Sequence, residues 1–270
     1  MKRSHVSVNS TPGNILTKMT ESKANLIEIF SSAQGEGPFV GYKQIFVRFT
    51  GCNLNCNYCD TDYAAQETVN VETHPYSQVF DKIDNPVSTE TLFYYLKKLD
   101  NPAGLHHSIS LTGGEPLLQS DFLKVFLTEN FAKHKFKIYL ETNGTLCNEL
   151  EKIIKLVNYV AMDIKLPSST GKISEHWHEH KNFLKVISDN KKAGIEYFVK
   201  SVLNNDFSDY ELHNIVWCMA SSDAGVPLIL QPDTSNPPEP LKLLHWQERL
   251  LKHINDVRII PQTHKITSIP

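Results

Sequence analysis

From Gln44 to Pro270, short apolar runs rich in β-branched residues alternate with longer stretches of helical periodicity. That alternation restricts the chain to repeated βα units around a parallel sheet. The expected strands cover 44–49, 108–111, 137–140, 159–163, 196–202, 227–230 and 257–260, while Leu92, Leu96 and Leu99, and later Leu243, Leu250 and Ile254, keep single helical faces for its outside. Such units close into a full or partial barrel or lie open and doubly wound. The unusual residues gather on one face of either arrangement. Thr112-Gly113-Gly114-Glu115-Pro116, Glu141-Thr142-Asn143-Gly144, Asp163-Ile164-Lys165, Gln231-Pro232 and Gln262-Thr263-His264-Lys265 all fall at or just beyond C-terminal strand ends, where α/β barrels carry their chemistry. The polar segment 62–90, with His74, Pro75 and Pro86, breaks the rhythm and is expected to be an insertion packed beside the site or a lid.

A hydrophobic content of 40% suffices for one sizeable core, so a single domain is expected over 26–270. Residues 1–25, rich in Ser, Thr, Asn and Lys, read as a poorly ordered N-terminal extension without assigned function. The 27 Lys and Arg nearly balance the 30 Asp and Glu, which leaves no basic field for nucleic acid and makes a small molecule the default partner. No apolar run approaches the roughly 20 residues that span a bilayer, and no hydrophobic stretch follows the N-terminal charges. Membrane insertion and secretion are not expected, and the location implied is the cytoplasm.

Three of the five cysteines lie within eight residues, a poor disulfide framework but a good metal site in a reducing compartment. Cys147 and Cys218 fall in helical stretches and read as small, partly buried hydrophobes. Cys52, Cys56 and Cys59 form a C-x3-C-x2-C loop directly after a strand. A [4Fe-4S] cube usually takes four thiolates, so three from one tight loop leave one iron open to an exogenous chelating ligand. The alternative is a structural zinc completed by one of the 12 histidines or by Cys147. The Gly113-Gly114 turn bears on that choice, since it exposes backbone polar groups able to grip the ammonium and carboxylate of an amino acid.

The triplet together with Gly113-Gly114-Glu115-Pro116 resembles the radical S-adenosylmethionine superfamily, and the likeness runs from about Glu28 to the end of the chain. It implies a partial (β/α)6-type TIM barrel, a [4Fe-4S] cluster on Cys52, Cys56 and Cys59, and S-adenosylmethionine as the ligand of the open iron. The flanks, Glu28 through Gly37, Gly41, Phe46-Val47-Arg48-Phe49 and Cys59-Asp60-Thr61, resemble the 7-carboxy-7-deazaguanine synthases within that superfamily. Taken alone, the first of these strings is a glycine-rich turn or an imperfect dinucleotide fingerprint. Neither accounts for Arg48, which lies on the strand face opposite Ile45, Val47 and Phe49 and wants a carboxylate unless it forms a surface salt bridge.

The resemblance implies 6-carboxy-5,6,7,8-tetrahydropterin as substrate, contacted by Ala33, Gln34, Gly35, Glu36, Arg48, Thr112, Glu141, His264 and the carboxylate of Pro270. It implies cofactor contacts from Tyr58, Cys59, Asp60, Gly114, Asp163, Lys165 and Gln231, and magnesium on Thr61, which otherwise reads as a helix N-cap. Asp163 stands where many members carry serine. The implied reaction starts with a 5′-deoxyadenosyl radical, abstracts hydrogen from C6, contracts the ring and releases ammonia, regenerating the cofactor on the way to queuosine-type 7-deazapurines. No side chain is implied as a proton donor. A flavodoxin or ferredoxin reductant and a homodimer are implied as partners. Two other readings stand beside this one, an activase of glycyl-radical enzymes and a zinc-stabilised interaction module.

Overall fold

The computed structural model describes residues 22–59, 62–171, 175–191 and 194–270. Its strands are β1 (Lys23–Ala24), β2 (Leu26–Ala33), β3 (Lys43–Phe49), β4 (Thr68–Glu72), β5 (Phe80–Asp84), β6 (Val87–Ser88), β7 (Ser108–Gly113), β8 (Ile138–Thr142), β9 (Tyr159–Asp163), β10 (Glu196–Leu203), β11 (Leu228–Pro232) and β12 (Val257–Ile259). The helices are α1 (Thr89–Leu99), α2 (Ser120–Glu129), α3 (Cys147–Glu151), α4 (Pro167–Thr170), α5 (Trp177–Asp189), α6 (Asp209–Met219), α7 (Pro240–Leu251) and α8 (Thr263–Thr267). A ten-stranded sheet runs in the order β12-β11-β10-β9-β8-β7-β3-β2-β4-β5. From β3 through β7 to β12 all neighbours are parallel and follow chain order, which is the winding of a barrel and not of a doubly wound sheet.

Local chemistry starts the helices. Ser88 Oγ accepts the Thr91 N–H at the head of α1, and Ser208 and Glu211 form a reciprocal capping box at the head of α6. The expected apolar faces are the ones buried: Leu92, Leu96 and Leu99 on α1, and Leu243 and Leu250 on α7, where Trp246 joins them. They cover outward positions such as Val47, Leu111, Leu140 and Leu230. Cys218 is buried with this layer, and Cys147 packs at its margin.

Alternation along the strands builds the interior. Its floor is a separate apolar cluster of Tyr139, Tyr159, Ala161, Phe198 and Ile229, plugged by Phe39. Two residues further along each strand the interior turns polar, with Glu141, Asp163, Lys200 and Gln231 above that floor. The sheet curls enough to bring its distant parts together, for the ring of Phe39, just after β2, lies 6.2 Å from that of Phe198 on β10. It does not close; β5 and β12 are its edges. Across the open seam the tail after β12 reaches the loop after β2, where the Thr263 N–H donates to the Gly35 carbonyl at 2.9 Å.

Two regions differ from the sequence expectation. Residues 68–84 form a hairpin that pairs β4 with β2 and widens the sheet, while Asp62, Tyr63 and Gln66 line the site beside it. Lys23 and Ala24, assigned to the extension by the sequence, pair as β1 with β6, and Ala24 is fully buried. Residues 1–21 of that extension lie outside the described residues. No helix among the described residues is long and apolar enough to cross a membrane.

Candidate active site

A cavity of about 580 Å³ opens at the C-terminal strand ends. Every sequence-predicted site residue within the described part of the chain lines it: Ala33, Gln34, Gly35, Glu36, Arg48, Cys52, Cys56, Tyr58, Cys59, Thr112, Gly114, Glu141, Asp163, Lys165, Gln231, His264 and Pro270. Asp60 and Thr61 lie outside the described residues.

At one end stand the three thiols. Their loop is held by close backbone packing that only glycine permits. A Cβ on Gly114 would fall 1.9 Å from the Gly51 carbonyl oxygen, and the Glu115 N–H donates to that same oxygen at 2.8 Å. Glu115, fully buried, accepts the Leu117 and Asn143 N–H groups and the Thr142 hydroxyl, which ties the Gly-Gly turn to the end of β8. Burial raises its carboxyl to about 7 against those donors. Asn143 in turn donates to Asn53 Oδ1 at 2.8 Å and lies 4.0 Å from Cys52 Sγ. The other cysteines are elsewhere: Cys147 Sγ faces Asn148, and Cys218 Sγ donates to the Trp177 carbonyl. Three thiols on one cavity wall, with no fourth cysteine beside them among the described residues, fit a cubane cluster that keeps one iron open. Burial pushes the Cys52 and Cys56 thiols up, so thiolates here call for a positive partner such as iron.

The opposite end is assembled around Glu36. Lys200 pairs with its Oε2, while Gln262 and Gln231 donate to its Oε1 at 2.6 and 3.3 Å. Burial alone would raise this carboxyl; the Lys200 ammonium and the Gln262 amide outweigh it and hold the group at about 2. Gly35 is the seat of His264, since a Cβ there would meet the imidazole at 2.1 Å. Ser32 Oγ donates to the Pro270 carbonyl oxygen at 2.5 Å. Gln34 and Glu141, expected to contact substrate, are engaged with the protein: Gln34 Nε2 donates to Gln44 and Glu141, both at 2.9 Å, and Ser110 and Thr112 also donate to Glu141. Arg48 does face the cavity, and its carboxylate partner there is Glu28, 2.6 Å from Nε.

Between the two ends runs a chain of opposite charges. Lys165 Nζ lies 2.8 Å from Asp163 Oδ2 and donates to Tyr58 OH at 2.9 Å, and Asp163 Oδ2 is 3.3 Å from Lys200. Asp163 Oδ1 and Gln231 Oε1 are buried without a hydrogen-bond donor among the described residues, as expected of groups that face a ligand. Gln231, read as a cofactor contact, sits beside Glu36. The backbone of Lys165 is fixed by His180, whose Nε2 accepts its N–H at 3.1 Å while Nδ1 donates to the Gly144 carbonyl. Burial lowers that imidazole to about 4 and keeps it neutral. His180 and Lys200 are the residues that sequence reasoning missed, while Glu28 and Gln262 stood in motifs without an assigned role. A polar position in phase with Phe198 and Val202 was the available signal for Lys200.

Residues 46–215 match the model of the radical SAM superfamily. Two relatives called 7-carboxy-7-deazaguanine synthase, from Geobacter sulfurreducens and Archaeoglobus fulgidus, are 38% and 36% identical to the chain. Each alignment covers 92% of this chain, with 98% and 99% of the respective relative. Among solved structures, QueE from Escherichia coli superposes with a TM-score of 0.52 at 17% identity, covering 89% of this chain and 94% of that one, a likeness of fold.

Proposed function

The chain belongs to the radical SAM superfamily and, within it, to the 7-carboxy-7-deazaguanine synthases, and from that membership we propose how its cavity divides the work. It is a lyase that contracts the ring of 6-carboxy-5,6,7,8-tetrahydropterin, with loss of ammonia, to 7-carboxy-7-deazaguanine in 7-deazapurine biosynthesis. When bound, a [4Fe-4S] cluster with S-adenosylmethionine would supply the radical chemistry that this reaction needs. Cys52, Cys56 and Cys59 would hold the cluster, and the Gly114 turn, Tyr58, Asp60, Asp163 and Lys165 would hold the cofactor.

Arg48 and Glu36 are the groups that orient the pterin. A guanidinium with two terminal nitrogens suits the C6 carboxylate, and an ionised glutamate accepts from the N–H groups of a guanine-like edge. Ala33, Gly35, Thr112, His264 and Pro270 line the rest of the pterin space, with Gln34 and Glu141 bracing the loop from behind and Gln231 bracing Glu36. Polar groups held by other polar groups do not reorganise during the reaction. Magnesium beside the substrate carboxylate, a flavodoxin- or ferredoxin-type electron donor and a homodimer complete the proposal. The observation that carries it is one cavity lined together by three thiols, the Arg48 guanidinium and the Glu36 carboxylate.

The activase reading asks for a groove that admits a polypeptide, and a cavity of about 580 Å³ braced by buried ion pairs favours a small molecule. The deciding experiment reconstitutes the protein anaerobically and supplies reductant, S-adenosylmethionine and the carboxytetrahydropterin. Formation of 7-carboxy-7-deazaguanine is expected. Cofactor cleavage without that product would overturn the substrate assignment.

A further inference from the structure

Lys200 belongs to none of the motifs that mark the site, yet it is the cation between Asp163 and Glu36. Lys165, Asp163, Lys200 and Glu36 alternate in charge and sum to zero, with side chains 15%, 6%, 12% and 16% exposed. Asp163 has a second cation in Lys165; for Glu36, Lys200 is the one ammonium or guanidinium within ion-pair distance among the described residues. Its remaining partners are neutral, the amides of Gln231 on β11 and Gln262 on the tail, with the His264 imidazole nearby. In the floor below, burial and then the charges of Glu141 and Glu36 push the Tyr139 phenol well above its ordinary range and keep it neutral. The backbone of Glu36 is pinned as well, its N–H donating to Gln34 Oε1 at 3.0 Å.

A carboxylate fixed in this way can only accept hydrogen bonds, whereas a protonated one donates. We propose that Lys200 is a positioning residue that keeps Glu36 a fixed acceptor, so that this end of the cavity selects molecules presenting adjacent N–H donors, the 2-aminopyrimidinone edge of a pterin, over those presenting a carbonyl there. This rests on the reading that the cavity binds a carboxylated pterin. The buried Gln231 Oε1, an acceptor next to Glu36 without a donor among the described residues, fits the same edge. Removing the ammonium strands a buried carboxylate, which then takes up a proton near neutral pH and turns from acceptor to donor. Burial opposes the charge on Lys200 itself, but Asp163 and Glu36 outweigh it and keep the ammonium well above its ordinary range.

The test compares the anaerobically reconstituted wild type with Lys200→Met, measuring iron content, S-adenosylmethionine binding, pterin binding and steady-state kinetics from pH 6.5 to 8.5. The variant is expected to keep its iron and its S-adenosylmethionine affinity. Its loss at pH 7 should fall on KM, by about tenfold or more, and shrink as the pH rises and Glu36 ionises again, while the wild type stays flat. In Lys200→Met/Glu36→Gln the pH dependence should vanish. A wild-type KM in Lys200→Met, or a defect of equal size at every pH, would overturn the proposal.

A second arm needs no variant. The 2-oxo analogue of the substrate, a carbonyl in place of the amino group, should bind wild type about 100-fold more weakly or worse, because a fixed carboxylate would face another acceptor. Equal binding of the two compounds sinks the idea even if Lys200→Met fails to fold. If the wild type binds neither compound, the carboxypterin reading itself has failed, which is a different result.

Discussion

The two ends of the cavity are built in opposite ways. Three thiols at the cluster end come from eight consecutive residues, and the Gly-Gly turn that backs them packs directly on Gly51. At the other end, Glu36 draws Lys200, Gln231 and Gln262 from three separate elements, up to 226 positions away in sequence. A cluster that must be gripped whenever the protein is folded suits a short loop, whose ordering entropy is small. Recognition of one particular molecule suits groups on a rigid frame, because each can change without disturbing the cluster.

Changes at the cluster end should therefore remove several properties at once. Cys56→Ser is expected to lose iron and to lower reductive cleavage of S-adenosylmethionine on the order of 10³-fold or more, read by iron analysis and 5′-deoxyadenosine formation. If the serine variant keeps both, the triplet is not the cluster site. Gly114→Ala comes next. Its methyl would collide with a backbone oxygen, so a loss of roughly 2–3 kcal/mol in unfolding free energy is expected, with weaker cofactor binding. Wild-type stability would show that the turn yields more easily than its contacts imply.

His180 sits between the two ends, and its effect depends on pH. Its folded-state value lies near 4, below the ordinary 6.5, so the unfolded chain binds more protons between those values and stability falls as the pH falls. Glu115, raised to about 7, acts with the opposite sign between 4.5 and 7, so the raw profile mixes the two. The comparison to make is with His180→Gln, by denaturant unfolding from pH 6.5 to 5. The stability gap between wild type and variant should narrow by about 2 kcal/mol over that range. A constant gap would mean that the imidazole is not held neutral.

The smallest effect belongs to the substrate end. Ser32→Ala removes one hydrogen bond to Pro270 and should raise KM about threefold, with iron content and cofactor binding unchanged. A loss of iron here would break the separation between the two ends.

Much of this was legible before any fold was known. The thiol spacing, the Gly-Gly-Glu-Pro turn and the strand alternation that turns Arg48 away from the core are local patterns, and each keeps its meaning in the structure. Lys200 offered only its phase with Phe198 and Val202, and a lysine within Glu196–Leu203 reads as a solvated position until the sheet curls around it. The hairpin over 68–84 was missed for a related reason. Phe80–Asp84 is polar and exposed because it is a sheet edge, and an edge strand carries little hydrophobic signal.

The sequence by itself determined the chemistry the chain can hold: a cluster loop, a turn to clasp an amino acid, and a parallel winding that puts both on one face. Tertiary structure decided which charges face one another. Glu36 gains its cation and His264 its seat on Gly35 only when an open sheet curls and its tail crosses the seam, whereas Arg48 meets Glu28 directly across the β2–β3 pair. Local propensity acts over a few residues, whereas the ionisation of a buried carboxylate depends on whatever the fold brings within a few ångströms of it.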